Sequence, residues 1–255
     1  MNTTKPLFIG HGSPQNAILD NAYTRFLSAY AASIPVPRAV IVISAHWQTK
    51  GTFITGSAHP AQIYDFFGFP DELYAVKYAP AGAGDIAAAI AEDTPGLQVD
   101  GARGIDHAGW AVVKHMYPAQ NVPLLQISLD VHKTEEEHYL LGTKLAKYRD
   151  EGLLLIGSGN VVHNLRDISF EDDMEPFHWA VQADAWMKER TERLMIDDLI
   201  AYKRTMPNYQ RSIPTNEHYL PLLYVMGMRR NGESCRTLHE EIQNGSISMR
   251  SLELA

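Results

Sequence analysis

Four short runs of near-continuous apolar residues stand out along the chain: Pro6–Gly10 (PLFIG), Ala39–Ser44 (AVIVIS), Val122–Leu129 (VPLLQISL) and Gly152–Gly157 (GLLLIG). Each is rich in β-branched residues or Leu and bounded by Gly, Pro or polar residues. Runs of this length without alternation suit strands buried on both faces of a parallel sheet. Thr52–Thr55 and Ile247–Leu252 are shorter strand candidates. Between the runs the period lengthens to that of a helix. Asn21–Ala32, Gly84–Glu92, Ala108–Met116, Lys133–Arg149 and Tyr219–Met226 read as helices, and Pro176–Lys203 as one long amphipathic helix or two. The acidic run Thr134–Glu137 favours a helix start, because its charges oppose the positive end of the helix dipole. Strands alternating with helices predict an α/β fold: a single three-layer domain over residues 1–255, with a mostly parallel or mixed central sheet and helices on both faces. No fixed-period repeat, low-complexity tract or long linker divides the chain.

Composition narrows the chemistry. Of 255 residues, 45% are apolar, enough for a sizeable core without covalent staples. Lys and Arg number 22 against 30 Asp and Glu, a net charge of −8. That balance argues against a nucleic-acid or anionic-membrane partner. No stretch approaches the ~18 apolar residues of a membrane span, and the first residues lack the pattern of a secretory leader. The single Cys235 excludes an internal disulfide and any thiolate-rich metal site. These features predict a soluble, cytoplasmic protein. Eleven His against one Cys mean that a metal here would be held by imidazole and carboxylate.

The histidines fall at informative places. His11 follows the first apolar run directly, and His46 follows the second after one Ala. His163 lies shortly beyond the fourth, past a turn at Ser158-Gly159-Asn160. Open α/β sheets bind ligands outside the carboxyl ends of their strands, so these three side chains are expected to converge on one sheet edge. Imidazole is the commonest protein metal ligand, and a metal site needs several such groups at one point. A further cluster, Thr215-Asn216-Glu217-His218-Tyr219, offers an acid and an imidazole. Adjacent side chains diverge, so one of Glu217 and His218 is expected to bind a shared metal and the other to support it; Thr215 or Asn216 could also cap the next helix. In Asp106-His107, the Asp can cap a helix and orient an imidazole. The remaining histidines, His59, His115, His132, His138, His178 and His239, sit in contexts that point to no site, His178 in FHWA being the least settled.

Other chemistries find no support. The chain has no Walker loop, no G-x-G-x-x-G and no H-E-x-x-H. Gly157-Ser158-Gly159 lacks the spacing of a nucleophile elbow, which leaves Ser158 a weak nucleophile candidate.

Taken in order, HGSP (11–14), SAHW (44–47), YDFFGFP (64–70), DHAGW (106–110), SGNVVHNL (158–165) and EHYLPLLYV (217–225) resemble the 4,5-DOPA extradiol dioxygenase family, a group related to the catalytic subunit of protocatechuate 4,5-dioxygenase. The resemblance runs from His11 to about Leu252. It departs at Ala108, where Gly is commoner in the family, and does not extend clearly over 171–208, where a lid shaping substrate choice would lie. The resemblance implies one mononuclear non-haem divalent metal, with His11, His46, His163 and His218 at the metal site. In the protocatechuate enzymes a Glu completes the ligand set and the position like His163 is the acid/base; in the DOPA branch a His stands in place of that Glu, which selects His218 over Glu217. His107 resembles the family's second active-site histidine, so His107 and His163 are the catalytic candidates. The implied reaction is extradiol ring opening of a catechol such as DOPA by O2, giving a muconic semialdehyde. Fe(II) is the metal this requires, while Zn(II) binds imidazole sites more tightly and has no redox chemistry. A zinc-dependent hydrolase on the same scaffold, or a non-catalytic metal-binding protein, are the competing expectations.

Overall fold

The computed structural model describes residues 3–169 and 174–255. Among the described residues ten strands form in chain order: β1 (Leu7–Gly10), β2 (Ala39–Thr49), β3 (Thr52–Thr55), β4 (Leu97–Asp100), β5 (Leu124–Asp130), β6 (Leu153–Gly159), β7 (Cys235–His239), β8 (Ile242–Gln243), β9 (Ile247–Ser248) and β10 (Ser251–Leu254). Eight of them build one mixed sheet in the order β4-β3-β5-β2-β6-β1-β10-β7. The centre, β5-β2-β6-β1, is parallel throughout. At one side β10 and β7 add antiparallel; at the other β3 meets β5 antiparallel and pairs with β4 in parallel. The four apolar runs of the sequence are these four central strands.

The strand pleat divides the core in two. Leu7, Ile9, Val40, Val42, Leu154 and Ile156 face one side, against helices Ala22–Ala32 and His107–Met116. Phe8, Ile41, Ile43, Leu125 and Leu155 face the other, against helices Glu135–Leu145, His178–Glu192 and Leu220–Gly227. The three-layer α/β arrangement is therefore the expected one, and the helix starts behave as read: Thr134 caps Glu135–Leu145 in a reciprocal capping box with Glu137. The 176–203 region divides into His178–Glu192 and Ile196–Ile200, followed by the single turn Tyr202–Thr205, with the break at Leu194, whose φ is +56°. Part of the segment where the family likeness weakens, residues 171–173, lies outside the described residues.

Two departures from the sequence reading bear on the site. β2 does not end at Ser44: it runs to Thr49, with its register against β5 broken between Ile43 and Gln48. His46 therefore sits within an irregular bulge of the strand rather than after it, and bulges of this kind re-aim side chains beside active sites. The candidate strand Ile247–Leu252 is two strands, β9 and β10, interrupted at Met249 and Arg250.

A close backbone approach places the fourth histidine segment. A Cβ on Gly159 would lie 2.1 Å from the carbonyl oxygen of His218, and one on Gly157 would lie 2.4 Å from that of Pro221. The absence of side chains at the end of β6 thus lets the turn that carries His218 lie directly on the strand, where the Asn160 N–H donates to His218 O at 2.9 Å. Both clashes are with backbone, so neither is relieved by a rotamer change. Gly159→Ala should cost about 1–3 kcal/mol of stability and lower bound metal per chain, checked by denaturant unfolding and elemental analysis; unchanged metal content would refute the coupling.

Candidate metal centre and active site

Each histidine reaches the carboxyl edge of the sheet by a different route. His11 leaves β1 with its N–H bonded to Gly159 O at 3.1 Å. His46 projects from the β2 bulge, where its N–H donates to Ser44 Oγ. His107 opens the helix His107–Met116. His163 follows β6, its N–H bonded to Ser212 O and its backbone bridged to Ile247. His218 lies in the turn before Leu220–Gly227.

Three of the rings form a nearly equilateral triangle. Centroids lie 5.1 Å apart for His11–His46, 5.0 Å for His11–His218 and 4.9 Å for His46–His218. One ring nitrogen from each lies within 4.8 Å of the others. His163 stacks flat on His218, with centroids 3.6 Å apart and 9° between planes, and groups with Glu217 and His218 rather than with His11 and His46. His107 packs edge-on against His46 at 4.1 Å.

The hydrogen bonds fix which nitrogens face inward. Ser158 Oγ donates its one proton to Ala108 O at 2.7 Å, so it accepts from His11 Nδ1–H at 3.0 Å. Asp65 can only accept: its Oδ2 takes His46 Nδ1–H at 3.1 Å, and its Oδ1 takes both His107 Nδ1–H at 2.9 Å and the His107 backbone N–H at 3.1 Å. His11 and His46 thus each spend Nδ1–H outward and turn an Nε2 lone pair inward, and these two Nε2 atoms stand 3.2 Å apart. Two lone pairs at that separation repel unless a cation such as a metal ion lies between them. Two nitrogens bound about 2.1 Å from one ion are themselves about 3.0–3.4 Å apart, so the spacing fits a shared metal. His218 adds a buried Nδ1 with no hydrogen-bond partner among the described residues. The donor set is all imidazole, as borderline-soft divalent metals prefer.

Burial acts on the same groups. It pushes the pKa values of His11 and His218 well below the usual 6.5, with neighbouring imidazoles adding to the effect. His107 is lowered by burial and by His46, against the opposing pull of Asp65. Burial, with His46 and His107, brings His163 down to about 4. Asp65 is held well below the carboxylate range: its bonds from His107 and His46 outweigh the cost of its burial. Neutral imidazoles are what a divalent ion requires of its ligands.

The sequence reading missed the groups that aim these rings. Asp106 was expected to cap the helix or orient an imidazole. Its side chain does neither: it accepts from Ser44, Gln126 and Arg103 and so pins the β2 bulge from below. Asp65, in the YDFFGFP motif, holds the imidazoles instead. Ser158 is wholly buried and committed to His11 and Ala108, so it is a support rather than a nucleophile. Neither Thr215 nor Asn216 caps the helix that follows; the Thr215 hydroxyl donates to Glu217 Oε1 at 2.8 Å. Outside the cluster, His115 bonds Asn16 O, His138 bonds the Tyr224 hydroxyl, and His178 is exposed.

Fold and site together define an α/β protein with a candidate imidazole metal centre at the carboxyl edge of its sheet. Residues 9–249 match the catalytic LigB subunit of aromatic ring-opening dioxygenases, and the chain belongs to that family. It is 39% identical to the 4,5-DOPA dioxygenase extradiol of Escherichia coli K12, over 97% of this chain and 93% of that one, and 32% identical to the protein of the same name from Beta vulgaris, over 98% and 96%. A crystal structure of an uncharacterized Escherichia coli K12 protein superposes with a TM-score of 0.86 at 35% identity, covering 98% of this chain and 99% of that one. Among the described residues no helix is long and apolar enough to cross a membrane.

Because His11, His107, His163 and His218 resist protonation when folded, the unfolded chain binds more protons below pH 6.5. Stability of the metal-free protein should therefore fall as pH drops from about 7 towards 4, by about 1.4 kcal/mol per unit of pKa difference at each site. Denaturant midpoints of chelator-treated protein across this range check the sign; a flat profile would contradict the burial argument.

Proposed function

We propose that the chain is an Fe(II)-dependent extradiol dioxygenase that opens the ring of a small catechol of the DOPA type with O2. The observation that carries this reading is the pair of inward Nε2 lone pairs on His11 and His46, 3.2 Å apart and closed into a triangle by His218. Those three residues would hold the metal. Bound there, Fe(II) supplies open coordination positions and the redox capacity that lets dioxygen react with a catecholate. The chain's own residues handle the protons. His107 donates Nδ1–H to Asp65, so its Nε2 lone pair is free to accept a catechol proton. His163, half-buried and stacked on His218, serves as the second acid/base, returning a proton as the ring opens. Phe66, edge-on to His107 at 5.6 Å, offers an aromatic wall for the substrate ring. Both oxygen atoms enter the product, so no external reductant is needed. The DOPA class rests on the names of the relatives, and the stacked His163 supports an acid/base role better than a fourth ligand. A cytoplasmic location belongs to the same reading, supported by the single cysteine, which is buried with its thiol pKa pushed up to about 12.

The test is anaerobic Fe(II) loading of metal-stripped protein, then oxygen uptake with a catechol panel including DOPA and protocatechuate. Uptake with a yellow ring-opened product is expected. No uptake with any catechol, beside one tightly held zinc per chain, would favour a zinc hydrolase or a binding protein. His107→Ala should keep the metal and lower turnover about 10²–10⁴-fold, whereas His11→Ala and His46→Ala should lose the metal.

A further inference from the structure

Among the described residues, Asp65 is the one carboxylate bonded to two of the clustered imidazoles. It lies in the irregular segment after Ile63, whose N–H bonds Ile105 O at 2.8 Å and whose carbonyl takes the Trp110 indole N–H at 2.9 Å. The segment is thus moored to the strip of chain leading into His107. From that mooring the carboxylate accepts three N–H bonds, two from His107 and one from His46. Its side chain is only 20% exposed, and among the described residues no Lys or Arg pairs with it. Nothing in a stability argument requires a half-buried carboxylate without a cationic partner; a neutral acceptor would satisfy the same helix N-terminus at lower desolvation cost.

We propose that Asp65 is a positioning residue that fixes the tautomers of His46 and His107 together, so that the same carboxylate sets the strength of the metal site and the direction in which His107 moves a proton. The proposal rests on the reading of His46 as a ligand and His107 as the proton-handling group. A carboxylate has no hydrogen to give, so both Nδ1 atoms must carry hydrogen and both Nε2 atoms must present lone pairs to the centre. Carboxylate-bonded imidazoles are also stronger ligands than isolated ones. An amide cannot replace it: Asn would offer one acceptor oxygen and an NH2 that confronts the other Nδ1–H, which forces one imidazole into the opposite tautomer.

Two measurements separate this from a merely structural role. In wild-type protein loaded with Zn(II), ¹⁵N correlation spectra of the imidazoles should show His46 and His107 both as the Nδ1–H tautomer; an Nε2–H tautomer at either would overturn the proposal. In variants, Co(II) alone is the probe. Asp65→Asn should weaken Co(II) binding about 10–100-fold and alter its visible spectrum, and Asp65→Glu should restore part of both. Native affinity and an unchanged spectrum in Asp65→Asn would overturn it. The wild-type spectrum needs no variant to fold, and neither readout depends on turnover. A wild-type Fe(II) protein that oxidises no catechol would sink the proposed function while leaving the test of Asp65 intact; Co(II) binding retained in His46→Ala would sink the ligand assignment instead.

Discussion

Two imidazole lone pairs facing each other across 3.2 Å are the constraint around which the carboxyl edge of this sheet is organised. Left without a cation, buried acceptors that confront one another lose their hydration and gain repulsion. The arrangement persists because each ring is fastened from behind: His11 by Ser158, itself spent on Ala108 O, and His46 by Asp65. The fastenings leave the rings one orientation, and it is the one in which both lone pairs converge. The arrangement thus makes a cation at this point favourable.

Backbone geometry does as much as the side chains. Parallel β1, β2 and β6 bring their carboxyl ends to one line, which delivers the His11 and His46 segments and the start of the His163 loop. A regular β2 would carry its side chains alternately to the two faces of the sheet; the bulge between Ile43 and Gln48 releases His46 from that alternation, and buried Asp106 holds the bulge through Ser44. The His218 turn comes from the far end of the sequence and can reach the centre only by lying on β6, which Gly157 and Gly159 allow. The remote segments therefore depend on one another: β6 supplies Ser158 for His11 and a bare backbone for His218.

This interdependence explains what could be read in the sequence. Near-continuous apolar runs mark strands covered on both sides, so the four central strands and the three-layer plan were visible in them. The edge strand β4 (LQVD) alternates too briefly, and β7 (CRTLH) mixes exposed polar residues with apolar ones, so neither carries a pattern that stands apart from a loop. A strand end predicted the position of His11, whereas His46 lies within the β2 bulge and not beyond the strand. Asp65 was hidden for a different reason. It is brought to His46 and His107 by a loop whose path depends on mooring beside Ile105, and no periodicity encodes that. It falls within the ordered motif YDFFGFP, but nothing in that motif set it apart from its neighbours. Asp106 shows the converse: its position before a helix suggested a cap, yet the buried demands of Ser44, Gln126 and Arg103 claim its oxygens instead.

The charge distribution of the site follows from the same choices. With the ligands proposed here all neutral, a divalent ion keeps its full charge at the centre, whereas a carboxylate ligand would cancel half of it. Among the described residues, Asp65 stands behind the His46 and His107 imidazoles, and Glu217 lies beside His163 and His218. A catechol entering such a field would be drawn towards its anionic form, because positive charge favours a deprotonated oxygen. The protons shed would need an uncharged acceptor close by, and burial disfavours the charged forms of His107 and His163, the residues proposed for that role. A carboxylate held back from such a centre would do two things at once. It would preserve the pull on a bound substrate's oxygens, and it would leave Asp65 free to hold the imidazole proposed to take the proton away.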